Sequence, residues 1–169
     1  MAVVAGAQAG IHAIAKGATI VQLRAPELNA HELEREAGSL VPHAAVPVVV
    51  SSRCDIALAS GAAGVNLPER DIRVAEARAL MGHRLVGRSV HSVAAAVAAE
   101  RDGADYVIFG PIWPSPSHRD QRAQGVGALE EVARAVRIPV LAIGGVTADR
   151  AAECAEAGAA GYAAITMFL

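Results

Sequence analysis

Gly103-Ala104-Asp105-Tyr106-Val107-Ile108-Phe109 sets a Gly-Ala pair just before a short apolar run. The phrase recurs as Gly17-Ala18 before Thr19–Leu23, Gly61-Ala62 before Gly64–Leu67 and Gly158-Ala159 before Gly161–Ile165. A glycine just past a helix takes the left-handed conformation that other residues avoid. An apolar run bounded by such punctuation reads as a buried strand. Each copy is therefore a helix-to-strand junction. Four copies mean alternating α and β units, hence a parallel sheet with helices outside it. In that arrangement chemistry collects at the opposite end, in the strand-to-helix loops.

Working outward from these junctions, strands are expected at Thr19–Leu23, Val48–Val50, Gly64–Leu67, Leu85–Ser89, Tyr106–Phe109, Pro139–Ile143 and Gly161–Ile165. Helices are expected at Gln8–Lys16, His31–Leu40 (entered from Asn29), Asp55–Ser60, Val74–Met81, Ser92–Arg101, Ala128–Val136 and Asp149–Ala157. Every strand but the last is followed by a helix. The fold class is α/β, a TIM-type (β/α)8 barrel formed as one domain over residues 1–169. Such barrels take roughly 200 residues or more, so the first strand and the last helix are expected to be missing. Met1–Val4 supplies a stub of first strand only if the loop after it is very short. A missing strand would leave unpaired backbone on its neighbours, and the expected outcome is a homo-oligomer formed over the gap, a rearrangement, or a fragment of a longer chain. The alternative, an open doubly wound sheet, lacks a dinucleotide fingerprint.

Composition narrows the function. Hydrophobic residues are 53% of the chain but aromatics only 3%, so the core is built of Ala, Val, Leu and Ile. A formal charge of −2 gives no reason to expect nucleic acid or an anionic membrane as partner. No apolar stretch reaches the roughly 18 residues of a membrane span, and Met1–Gly10 lacks the build of a signal peptide. Cys54 and Cys154 match no zinc spacing. Both fall on expected helices, where a free thiol behaves as a small hydrophobe. A reducing, cytoplasmic location fits them.

The sharpest local signal is Ile143-Gly144-Gly145-Val146-Thr147, which leaves a strand and opens a helix. Paired glycines let backbone amides approach a phosphate, and the helix N-terminus adds a favourable dipole. The last strand ends nearby at Ile165 and Thr166, and the loops after strands 7 and 8 commonly hold phosphate in barrels. The plain alternative is a tight turn. The irregular segment Gly110–Gly125 is the second signal, since long strand-to-helix loops are often lids or binding loops. It carries Ser115, Ser117, His118, Arg119 and Arg122, suited to an anion, and Trp113, suited to covering a flat ring; the alternative is a solvated surface loop. Gln22 and Arg24 stand at the end of one strand, Ser51, Ser52 and Arg53 at the end of another. Asn66, Glu69 and Asp71 follow a third, Ser89 and His91 a fourth, and a barrel gathers all of these at one mouth. Asp71 is the best carboxylate for a divalent cation. Asp102 and Asp105 fall on the opposite, stabilising end.

Several phrases together are specific: Val21-Gln22-Leu23-Arg24, Gly64-Val65-Asn66-Leu67, Gly87-Arg88-Ser89-Val90-His91-Ser92, Gly110-Pro111-Ile112-Trp113-Pro114-Ser115-Pro116-Ser117 and Ala142-Ile143-Gly144-Gly145-Val146-Thr147. Through them, from about residue 10 to 168, the chain resembles the thiamine phosphate synthase and TenI family. That resemblance implies a barrel binding a small-molecule thiazole phosphate at Gly144, Gly145, Ile165 and Thr166. In the synthase branch a pyrimidine pyrophosphate is joined to the thiazole phosphate with magnesium. That branch shows Gln-Leu-Arg-Glu-Lys where this chain has Ala25 and Pro26 after Arg24. It shows Asn-Asp-Arg where this chain has Ser51-Ser52-Arg53, and a loop lysine where this chain has His118. Asp71 still matches a magnesium carboxylate. Lost charges on a pyrophosphate–metal site are costly. The expected function is therefore the TenI-like one, a cofactor-free thiazole tautomerase using a general acid/base. The tautomerase histidine position holds Pro111 here, which leaves His118 first and His91 second as the proton carrier. The alternatives are a magnesium-dependent thiamine phosphate synthase and a non-catalytic phosphate-binding or regulatory remnant.

Overall fold

The computed structural model describes residues 1–114 and 122–168. The strands are β1 (Ala2–Val4), β2 (Val21–Leu23), β3 (Val48–Ser51), β4 (Gly64–Leu67), β5 (Leu85–Val90), β6 (Tyr106–Phe109), β7 (Val140–Ile143) and β8 (Gly161–Ala163). The helices between them are α1 (Ala7–Ala15), α2 (Ala30–Leu40), α3 (Cys54–Ala59), α4 (Val74–Met81), α5 (Val93–Arg101), α6 (Gly125–Ala135) and α7 (Ala148–Glu156). All eight strands are parallel and lie in sequence order. The four Gly-Ala junctions stand where expected, with Gly17, Gly61, Gly103 and Gly158 at φ of 91°, 72°, 95° and 87°. Asn29 enters α2 through a capping box with Glu32: Asn29 Oδ1 accepts the Glu32 N–H at 3.0 Å and Glu32 Oε2 the Asn29 N–H at 2.9 Å.

The expectation of a missing first strand is wrong. Ala2–Val4 pairs with Val21–Leu23 along its whole length. On its other side Ala2 bridges to Ala164, with Val3 N–H donating to the Ala164 carbonyl at 2.9 Å and Ala164 N–H to the Met1 carbonyl at 3.1 Å. The sheet therefore closes, and the open edge expected to drive oligomer formation does not exist. Closure is possible because only Ala5 and Gly6 separate β1 from α1. No helix follows β8 among the described residues. The segment thought irregular up to Gly125 ends there, since α6 begins at that residue rather than at Ala128.

Side-chain alternation along the strands makes two apolar cores. One contains only strand residues and their neighbours, among them Met1, Val3, Val49, Tyr106, Ile108 and Ala163, and fills the barrel interior. The other lies between sheet and helices and is built from Leu23, Leu40, Leu67, Phe109 and Leu129 with many alanines. Cys54 and Cys154 are buried free thiols, and burial pushes both above the ordinary thiol pKa. Asp105 does structural work at the helix-to-strand end: its carboxylate pairs with Arg78 and accepts the Val86 N–H at 2.7 Å. Arg78 also donates to the carbonyls of Gly82, Arg84 and Gly103, tying two helix-to-strand junctions together. Asp102 pairs with Arg101 on the surface.

Tyr106 is the largest side chain inside the barrel, and its ring occupies the space over Gly87. A Cβ on Gly87 would stand 2.1 Å from the Tyr106 ring. Gly87→Ala should therefore cost about 1–3 kcal/mol of stability by overpacking, measured by urea unfolding. An unchanged midpoint would contradict this packing.

Candidate functional site

Strand periodicity aims one polar residue from each of four adjacent strands into the mouth of the barrel. Gln22 lies between Val21 and Leu23, whose side chains belong to the outer core, so it must face inward. Ser51, Asn66 and Ser89 follow by the same alternation. With the apolar Val3, Ile108 and Ile143 they surround a cavity of 200 Å³. Gln22 and Asn66 are 4% and 1% exposed and are the buried polar residues of the described chain. Gln22 Nε2 donates to Ser51 Oγ at 2.6 Å, and Asn66 Nδ2 donates to Ser89 Oγ at 3.1 Å. Among the described residues, Asn66 Oδ1 has no hydrogen-bond partner.

Outside the cavity lies a groove of 850 Å³. The two share Pro68, Glu69, His91 and Pro111, and the groove adds Arg70, Arg122 and Gln124. The His91 Nδ1 meets Glu69 Oε2 in a direct hydrogen bond. Gln124 Nε2 donates to the His91 carbonyl at 3.1 Å, joining the loop after β6 to that after β5. Ser92 caps α5 by accepting the Ala95 N–H at 3.1 Å, which sets His91 at the rim. Arg88 orders the loop after β4 by donating to the carbonyls of Glu69 and Ile72 at 2.6 and 2.7 Å. Burial lowers its pKa, against the opposing pull of Asp71 and Glu69.

The exit of β7 is shaped by the loop after β6. Ile112 N–H donates to the Ile143 carbonyl at 2.9 Å and Trp113 N–H to the Gly144 carbonyl at 3.0 Å. Gly144 and Gly145 have φ of 91° and 68°. A Cβ on Gly144 would lie 2.6 Å from Pro111, and one on Gly145 would lie 2.7 Å from Trp113. The pair is thus demanded both by left-handed backbone and by the close pass of a neighbouring loop. Among the described residues, the N–H groups of Gly144, Gly145 and Val146, and those of Ile165 and Thr166, have no hydrogen-bond acceptor. The Arg150 guanidinium lies 4.8 Å over the Trp113 ring, while Arg150 Nη1 donates to the Gly145 carbonyl at 2.8 Å.

The structure brings Gln22, Arg24, Asn66, Ser89, His91 and Ile165 to one cavity, as expected of a barrel mouth. Thr166 is exposed next to Ile165. Asp71 does not line the cavity, and its Oδ1 accepts the Ile72 N–H at 2.8 Å. Arg53 turns to Asp55, its Nε donating at 2.8 Å. Ser52 takes φ of 65° as β3 ends, its N–H bonded to the Asn66 carbonyl at 3.0 Å. Ser115, Ser117, His118 and Arg119 lie outside the described residues. Sequence reasoning missed Arg150 and Gln124. Arg150 had a readable signal, since it falls in the first turn of the helix opened by the glycine pair; Gln124 had none.

A family model described as thiamine monophosphate synthase matches residues 7–168. The thiamine-phosphate synthase of Chloroflexus aurantiacus is 40% identical over 158 residues, covering 91% of this chain and 73% of that protein. The thiamine-phosphate synthase of Chlorobium luteolum is 42% identical over 159 residues, covering 91% and 75%. Among solved structures, thiamine phosphate pyrophosphorylase from Pyrococcus furiosus superposes with a TM-score of 0.86 at 32% identity, covering 95% of this chain and 79% of that one. FabK from Thermotoga maritima, at 20% identity and a TM-score of 0.79, shares the fold. No helix among the described residues is long and apolar enough to cross a membrane.

Trp113 is the sole tryptophan, so its emission reports on the contact with Gly145. Gly145→Ala should cost about 1–2 kcal/mol in backbone strain alone and push Trp113 outward. A red-shifted emission with easier acrylamide quenching is the expected result; an unaltered spectrum would contradict it.

Proposed function

Because the chain belongs to the thiamine monophosphate synthase family, we propose that it works in thiamine biosynthesis, joining a pyrimidine pyrophosphate to a thiazole phosphate. The observation that carries this is the unpartnered amide row at the exits of β7 and β8, Gly144 to Val146 with Ile165 and Thr166, next to a cavity that accepts one ring. Amides at the opening of a helix favour a phosphate. The thiazole phosphate is held there by backbone groups, and the second ring enters the cavity beside Gln22, Asn66 and Ser89. Its anionic end faces the rim near Arg24, Arg70 and Arg122. The joining step forms one bond from the thiazole ring nitrogen to the carbon of the pyrimidine half that bears the pyrophosphate, as that carbon's bond to the pyrophosphate oxygen breaks and pyrophosphate leaves with the bonding electron pair.

The synthase names of the relatives favour this reading over the tautomerase that the lost lysine and the lost Asn-Asp pair suggest. The fit to magnesium is partial. No group of three His, Cys, Asp or Glu side chains among the described residues is placed to hold a metal. Magnesium is commonly bound by one or two carboxylates together with substrate phosphates, and Asp71 keeps one oxygen uncommitted for that role. When bound, the ion would neutralise charge on the departing pyrophosphate. A second reading, proton transfer in a thiazole phosphate, rests on the Glu69–His91 pair at the cavity wall. Carboxylate–imidazole pairing suits that chemistry.

Purified protein incubated with both substrates and magnesium should form thiamine phosphate, followed by chromatography. Asp71→Asn should raise the magnesium needed by about tenfold or more, the equivalent of one lost ligand contact near 1.4 kcal/mol. Tautomer conversion without thiamine phosphate, abolished in His91→Ala, would replace the first reading by the second. Ligand binding with neither reaction would leave a non-catalytic binding protein.

A further inference from the structure

The loop from β4 to α4, Pro68 to Arg73, carries Glu69 at the cavity wall, Arg70 on the outer groove and then Asp71. None of its side chains is buried, so no apolar anchor fixes it. Within the loop, Asp71 N–H donates to the Pro68 carbonyl at 3.0 Å and Asp71 Oδ1 accepts the Ile72 N–H at 2.8 Å. A segment with so few packed contacts opens at little cost unless something outside holds it. Two residues of the β5 segment do so. One is His91, just past the strand, through Glu69 Oε2. The other is Arg88.

Arg88 stands on the outer face of β5. Val86 and Val90, which share its face, belong to the core between sheet and helices, whereas Ser89 lines the cavity. A guanidinium is costly in that layer. Burial lowers its pKa, and among the described residues no carboxylate forms an ion pair with it. With Val74, Val90 and Ala99 it borders a groove of 250 Å³, where an apolar side chain would sit at less cost. Its hydrogen bonds go to the loop instead. Nη1 donates to the Ile72 carbonyl at 2.7 Å, Nη2 donates to the Glu69 carbonyl at 2.6 Å, and Nη2 reaches the Asp71 carbonyl at 3.5 Å. A rigid planar fork spans several carbonyls at once, which a compact ammonium does not. We propose that Arg88 is a positioning residue: from behind the barrel wall it holds the loop after β4 so that Glu69 meets His91 and Asp71 keeps its place. Neighbours on one strand thus divide the work, Ser89 lining the cavity and Arg88 bracing the loop beside it. Only the Asp71 part rests on the synthase reading above; the Glu69 part does not depend on it.

The test compares wild type with Arg88→Met, which suits the apolar layer, and Arg88→Lys, which keeps the charge and one donor. NMR relaxation should give backbone order parameters of about 0.85 at Glu69, Asp71 and Ile72 in wild type and below about 0.6 in Arg88→Met. The strands and the urea midpoint should be unaffected, since an apolar replacement of a buried charge is often neutral. Ring-nitrogen NMR shifts of neutral His91 should place the proton on Nδ1 in wild type and show that preference lost in Arg88→Met. The magnesium giving half-maximal thiamine phosphate formation should rise about threefold or more in Arg88→Met, and rise no further when Asp71→Asn is already present. Arg88→Lys should loosen the same loop to a smaller degree. A loop as ordered in Arg88→Met as in wild type would overturn the proposal. So would a loosened loop that leaves the His91 ring and the magnesium requirement unchanged. Order lost across the strands in both variants, with a lower midpoint, would also overturn it, as the mark of a general packing role. Additive magnesium effects of Arg88→Met and Asp71→Asn would overturn the Asp71 part. Wild type that forms no thiamine phosphate, with the loop and ring results as expected, would sink the synthase reading and sustain this inference. Product formation with a loop indifferent to Arg88 would do the reverse.

Discussion

Two backbone hydrogen bonds, Val3 N–H to the Ala164 carbonyl and Ala164 N–H to the Met1 carbonyl, close the sheet into a barrel. Without them the exits of β2 and β8 would lie at opposite edges of an open sheet. With them, Gln22 and Ile165 border one cavity although 143 positions separate them in sequence (165 − 22). Closure also removes the exposed edges that a parallel sheet would otherwise present. The connection from β1 to α1, only Ala5 and Gly6, is what makes it affordable in a chain of 169 residues.

The loop after β6 explains the glycine pair. Gly144 and Gly145 carry no side chain because the loop after β6 crosses directly over them and hydrogen-bonds to Ile143 and Gly144. That packing fixes the turn with its amide groups unspent, and Arg150 braces it by holding the Gly145 carbonyl and covering Trp113. A tight turn and the proposed phosphate site are therefore compatible, since the same packing would serve both. A rigid turn orients the donors beforehand, so an anion entering there meets groups that need no reorganisation.

Most of the architecture was legible because it rests on local signals. The Gly-Ala junctions declare themselves by left-handed backbone, and β4, β6 and α4 lie where the apolar runs and helical spacing put them. The first strand was hidden because three apolar residues carry no periodicity and its pairing partners, Val21–Leu23 and Ala164, are distant in sequence. In the candidate site, a place at the ends of expected strands was enough to collect Gln22, Asn66 and Ser89. It could not foresee that Trp113 would stack with Arg150, or that Gln124 would reach the His91 carbonyl, because these contacts depend on how loops pack across the mouth. Nor could spacing reveal that Asn66 would keep an unsatisfied oxygen; that follows only from the full set of its neighbours.

The proposed phosphate position is the point on which the functional account turns. A crystal structure of the protein with a thiazole phosphate tests it directly. The account predicts the phosphate oxygens within hydrogen-bonding distance of the Gly144, Gly145 and Val146 amides, with Ile165 and Thr166 on the far side. A phosphate bound elsewhere, with those amides left to solvent at saturating ligand, would contradict it.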